Sequence, residues 1–200
     1  MSQVKRLFVE KKADYAVAAK GLKKEIATYL GLKEVTSVRI LCRYDIDGIT
    51  DDIYQSAKIT VFSEPPVDDY FEEQFPLSEE EGFFIIEYLP GQFDQRADSA
   101  MQCIKLLAPQ TDVIVRSALV YVIGGRLKPE QLLQIRDYVM NPVDSMEDTK
   151  EKPQSLQLIL PEPAAVAVME GLIEAEEADL RKTYDGLSLA MTFADFQHIQ

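Results

Sequence analysis

One segment of this chain occurs twice, and that repeat constrains the fold more than any other feature. Val38-Arg39-Ile40-Leu41-Cys42-Arg43-Tyr44-Asp45-Ile46-Asp47-Gly48 returns as Val115-Arg116-Ser117-Ala118-Leu119-Val120-Tyr121-Val122-Ile123-Gly124-Gly125, and the Val, Arg, Tyr, Ile and final Gly coincide 77 residues apart. The same spacing lays Leu7–Glu10 over Phe84–Glu87. One residue more, 78, brings Ala19, Ile26 and Val61 onto Ala97, Ile104 and Val139. A one-residue slip between elements is what a loop insertion produces, whereas chance similarity does not hold register over four elements. The chain therefore reads as two copies of one α+β unit, residues 3–68 and 82–144. Two half-sheets can pair into one platform, and a platform assembles with something.

Each copy reads as strand, helix, strand, helix. In the first, a strand around Arg6–Glu10 precedes a helix from Asp14 to Leu30. There Tyr15, Ala18, Ala19, Leu22, Ile26, Tyr29 and Leu30 recur at helical spacing, and Gly31 ends the run. A strand over Ser37–Tyr44 and a helix from Thr50 to Val61 follow. The second copy repeats the order with strand Phe83–Leu89, helix Asp94–Ala108, strand Asp112–Ile123 and helix Pro129–Met140. Its first helix carries the stripe Ala97, Ala100, Met101, Ile104, Leu107 and Ala108. Such units predict a mainly antiparallel sheet with helices on one face. Val113–Ile123, apolar on both faces, predicts a central strand, or a strand sandwiched between helices and a partner. Both copies leave through the same exit, Pro66-Val67-Asp68 and Pro142-Val143-Asp144. The duplicated domain is thus expected over 1–144, with an acidic linker over 145–200. In that linker Asp144–Gln154 reads as mobile, Ser155–Leu160 as a short strand and Ala175–Tyr184 as a helix. Thr192-Phe193-Ala194-Asp195 reads as a capping box that opens one more helix. An element that begins so near residue 200 reads as the front piece of a longer polypeptide.

Charge limits the partners. The net charge is −13, but Glu64–Glu81 carries eight acidic and no basic residues, and 143–200 carries twelve acidic against four basic. The folded repeats lie near neutrality, and neither shows the clustered basic face that a phosphate backbone requires. Nucleic acid is not an expected partner. No apolar run reaches the ~20 residues of a membrane helix, so no membrane partner is expected either. The N-terminus lacks a signal-peptide apolar stretch, and Cys42 and Cys103, without CxxC spacing, read as buried reduced thiols of a cytoplasmic protein.

Catalytic signatures are scarce. His198 is the only histidine, so no Ser-His-Asp or Cys-His arrangement can form within the repeats. Metal sites built on histidine and cysteine fall for the same reason. Gly124-Gly125 reads as a turn, and the Asp45, Asp47, Asp51 and Asp52 cluster as a turn and helix start. No catalytic, cofactor-binding or metal-binding residue is assigned. The segment that stands out is Pro90-Gly91-Gln92-Phe93-Asp94-Gln95-Arg96-Ala97-Asp98-Ser99-Ala100. Its counterpart, Ala13–Ala16, lacks this polar richness. It can be a strand-to-helix turn with Asp94 as N-cap. It can also be a docking surface, with Gln92, Asp94, Gln95, Arg96, Asp98 and Ser99 as interface candidates.

Val9–Lys12, Arg39–Asp45, Phe62-Ser63-Glu64-Pro65-Pro66-Val67-Asp68 and above all Gly91–Ala100 resemble the N-terminal region of the large, single-chain phosphoribosylformylglycinamidine synthases. Asn141–Asp144 and Gly186-Leu187-Ser188-Leu189-Ala190-Met191 resemble the linker that follows in that family. The resemblance implies an ATP- and glutamine-dependent ligase of purine biosynthesis that makes formylglycinamidine ribonucleotide. It implies an N-terminal domain like a dimer of the small accessory subunit of the split enzyme, which agrees with the repeat. ATP and Mg would belong to the intact enzyme, and the synthetase and glutaminase domains would follow residue 200. This stretch would itself be inactive, a clamp between those domains, and self-association of the isolated piece is expected. The alternative is a tandem regulatory module that binds a small molecule between its repeats. That module would carry matching glycine-containing loops, and Ala13–Ala16 and Pro90–Phe93 do not match.

Overall fold

The computed structural model describes residues 4–149, 151–157, 165–166 and 168–199. Residues 1–158 form one compact unit and 159–200 a second. The first unit is α+β, built on a six-stranded, wholly antiparallel sheet of order β3-β1-β2-β5-β4-β6. Its strands are β1 (Lys5–Lys11), β2 (Ser37–Asp47), β3 (Asp68–Glu72), β4 (Glu81–Tyr88), β5 (Ile114–Gly124) and β6 (Ser145–Asp148). Helices α1 (Val17–Tyr29), α2 (Asp51–Ala57), α3 (Gln95–Leu107) and α4 (Pro129–Val139) connect them. A π-helical turn, Lys58–Phe62, extends α2 and brings Phe62 onto Tyr44 at 4.8 Å between ring centroids.

β2 and β5 form the central pair, in a register that sets Cys42 opposite Leu119 and Leu41 opposite Val120. As the apolar run of β5 predicts, this strand lies inside the sheet, between β2 and β4. Alternation along the strands sends two sets of side chains to opposite faces. On one face Val38, Ile40, Tyr44 and Ile46 meet the helices. There α2 and α3 share one apolar cluster with Leu7, Val9 and Val115, while α1 and α4 share another with Phe84, Ile86 and Ile123. The buried residues of α1 are Ala19, Leu22 and Ile26, and those of α3 are Ala97, Ala100 and Ile104, each 78 residues on. This narrow stripe replaces the wide one read from the sequence: Tyr15 is 54% exposed and Tyr29 72%. Helix α1 begins three residues later than expected and lacks a side-chain cap, which leaves Tyr15 on the loop before it.

None of α1–α4 contributes to the apolar cluster of the other face. That cluster, Phe8, Leu41, Ile85, Ala118, Val120 and Val122, is packed by Phe71, Phe75 and Phe83. Beside it lies a buried ionic cluster. Arg6 grips Asp45 through Nε and Nη2 at 2.6 and 2.8 Å, both side chains almost wholly buried. Arg43 faces Asp45 at 3.3 Å, Asp148 at 2.6 Å and Glu87 at 3.5 Å. Burial first, and the charge of Asp148 next, push the Glu87 carboxyl above its ordinary value.

The sheet extends beyond both expected repeat ends, because residue 68 opens β3 and residue 145 opens β6. The turns at the two exits match: Glu64 O accepts the Val67 and Asp68 N–H groups, and Asn141 O accepts those of Asp144 and Ser145. Residues 145–148 thus belong to the sheet rather than to a linker, and β6 pairs with β4 from Ser145 opposite Tyr88 to Asp148 opposite Ile85. These edge strands are four or five residues long and rich in acids, so they carry no alternating apolar pattern. Of the expected strand at Ser155–Leu160, residues 155–157 are not extended in a ladder and 158–160 lie outside the described residues.

The second unit holds α5 (Glu177–Leu187) and α6 (Phe193–Ile199). The capping box forms as expected: Thr192 Oγ1 accepts the Asp195 N–H, and Asp195 Oδ2 accepts the Thr192 N–H, each at 3.2 Å. Tyr184 meets Phe193 and Phe196, with centroids 5.4 and 5.7 Å away, and Arg181 lies 4.3 Å over the Phe193 ring. Among the described residues, no helix is long and apolar enough to cross a membrane.

Candidate functional site

The two helix pairs leave the middle of the sheet uncovered between them. Two grooves open there, of about 610 and 570 Å³, and share Tyr44, Val61, Arg96, Leu119 and Tyr121. The larger runs along β5 and α3 to Asn141 and Asp144, and the smaller along β2 to Ser63, Glu64 and Asp68. The repeated tyrosines, Tyr44 and Tyr121, sit in both. Arg96 has no basic counterpart in α1, where the residue 78 positions earlier is Ala18.

The strand-to-helix turn that delivers Arg96 is held firmly. Asp94 caps α3 by accepting the Ala97 N–H at 2.9 Å. Its carboxylate also accepts the Ser117 N–H and hydroxyl, at 2.8 and 2.9 Å, which ties the helix start to β5. Asp94 is therefore a positioning residue. Arg96 and Tyr44 line both grooves together, and Arg96 makes no ion pair among the described residues. Burial pushes the Tyr44 hydroxyl well above the usual phenol range, so it stays protonated.

Of the six candidates, Gln95, Arg96 and Ser99 line the larger groove, and Arg96 lines the smaller as well. Gln92 is exposed on the turn outside the groove linings, and its N–H is spent on Leu89 O at 3.0 Å. Asp98 accepts from Gln102 at 2.6 Å and likewise lies outside both linings. Sequence reasoning missed Tyr44, Tyr121 and Ser117 as lining residues. The repeated Tyr was the available signal, but its face could not be read before the register was known. Among the described residues, no group of three or more His, Cys, Asp or Glu is placed to hold a metal ion.

The cysteines divide, against the expectation that both are buried. Cys103 is exposed on α3, and Cys42 is partly buried under Arg96 and Tyr44. Burial pushes the Cys42 thiol up to about 11. Since the thiolate is the nucleophile, Cys42 reactivity should stay low at pH 8 and rise only as pH approaches 11. Iodoacetamide at pH 8 is expected to label Cys103 within minutes and Cys42 only after unfolding, as read by mass spectrometry. Equal labelling rates in the folded protein would contradict this placement.

No protein-family model matches this sequence, and no curated protein matches it significantly.

Proposed function

We propose that this chain is the non-catalytic N-terminal assembly domain of a phosphoribosylformylglycinamidine synthase, a cytoplasmic, ATP- and glutamine-dependent ligase of purine biosynthesis. In this reading it holds the synthetase and glutaminase domains together while ammonia passes between them. ATP and Mg would act elsewhere in the intact enzyme. The supporting observation is Arg96: an exposed residue without an ion-pair partner among the described residues, at the meeting point of two aromatic-lined grooves. A multi-donor group in such a setting suits a partner's carboxylate or carbonyl oxygens. The Asp94 clamp fixes its position in advance, which lowers the entropy cost of docking.

The test is a ratio measured on the intact enzyme. With Arg96→Ala, glutamine-supported synthesis should fall about tenfold more than ammonia-supported synthesis, the change expected if roughly 1.4 kcal/mol of domain coupling is lost. Free ammonia needs no passage between domains, so its reaction reports the synthetase alone. Equal losses in both assays would remove the docking role of Arg96. Absence of any synthesis by the wild-type enzyme would remove the enzyme assignment itself.

A further inference from the structure

We infer that residues 149 and 151–157 form a reversible latch on the face of the sheet opposite α1–α4. After β6 the chain crosses back over the ionic cluster. Arg43 donates to Thr149 O, Arg6 to Glu151 O and Arg116 to Leu156 O, each at 3.3 Å. Lys152 pairs with Glu73 at 2.6 Å. Asp47 closes the far end, accepting the Ser155 hydroxyl and the Leu156 N–H, both at 3.0 Å. Leu156 is 2% exposed and is the one buried apolar anchor among the described residues of the segment.

Two features make this a latch rather than a seventh strand. Three of the attachments are side-chain bonds to isolated carbonyls, and at 3.3 Å they are at the long end for an N–H donor. The chemistry beneath matters more. The segment lies over Arg6, Arg43 and Asp45, groups that water solvates well. The apolar cluster of this face is packed instead by Phe71, Phe75 and Phe83. Opening therefore exposes charge and one leucine side chain, while the sheet and its helices keep their cores. The cluster also explains the choice of arginine. Once Asp45, Glu87 and Asp148 meet their charge, spare guanidinium donors remain to hold a neutral backbone. Freed, its eight described residues amount to roughly 27 Å of extended chain. The latch thus switches this length of chain between held and free.

Hydrogen exchange on the full chain tests this, read by mass spectrometry with Leu156→Ser and Asp47→Ala. Both changes lie outside the buried ion pairs. In the wild-type protein, the peptide covering 149–157 should exchange about 100-fold faster than β2, because it opens without global unfolding. It should still exchange about tenfold slower than the same synthetic peptide in solution. Each variant should remove that remaining protection and leave β1 and β2 within about twofold of wild type. Exchange in step with β2, or at the free-peptide rate in the wild type, would overturn the latch. So would variants that leave the segment unchanged, or that loosen the sheet to the same extent.

Discussion

Replacing Asp45 with alanine should destabilise the first unit by about 3–5 kcal/mol, because it takes the bidentate carboxylate away from the buried Arg6 guanidinium. Asp45 is 2% exposed and accepts two hydrogen bonds from Arg6, with Arg43 3.3 Å away. Register places it opposite Arg6 on β1 and Arg116 on β5, so one carboxylate faces a cation on either side. Without it, Arg6 loses both bonds, while Arg43 keeps Glu87 and Asp148. The loss should appear as a lower midpoint in urea at unchanged m-value. The pair should nonetheless contribute little beyond what a well-packed apolar pair would. Arg6→Leu combined with Asp45→Leu is therefore expected to cost less than the two single changes together. An Asp45→Ala loss below about 1 kcal/mol, the range of exposed pairs, would mean that water reaches this cluster.

Alanine at Gly48 or at Gly125 should each cost about 2–4 kcal/mol, for one reason that operates at both ends of the central pair. Gly48 ends β2 at φ +81°, and Gly125 follows β5 at φ +136°. A Cβ on Gly48 would strike the Asp112 carbonyl oxygen, and one on Gly125 the Glu34 carbonyl oxygen. Each glycine lets the end of one central strand press against the backbone leading into the other. Backbone cannot swing aside as a side-chain tip can, so the penalty combines φ strain with a clash. Gly31 separates the two terms: φ is +70°, with nothing within 4 Å of the added carbon. Gly31→Ala should cost about 1–2 kcal/mol, the strain alone. Comparable losses at all three positions would show that strain dominates and that the strand ends are not tightly apposed.

These glycines illustrate what the sequence alone determined. Its repeat fixed the order of the four inner strands and four helices, since periodicity within one element records which of its sides is buried. Ala19, Leu22 and Ile26, and their counterparts 78 residues on, fall within the stripes read from periodicity, whose outer members, Tyr15, Tyr29 and Leu107, are exposed. The Asp94 cap and the Thr192–Asp195 box were legible for a similar reason, being bonds between residues three apart. Tertiary structure alone decided the rest. The Arg6–Asp45, Arg43–Glu87 and Arg43–Asp148 pairs join residues 39 or more positions apart, and strand register, not local pattern, sets Arg6 opposite Asp45. The edge strands β3 and β6 are held by backbone pairing, to which their acidic side chains give no clue. Of the polar residues in the Gln92–Ser99 turn, only Gln95, Arg96 and Ser99 reach the grooves. That selection depends on where Asp94 ties α3 to Ser117, 23 residues away, a distance at which composition and periodicity carry no information.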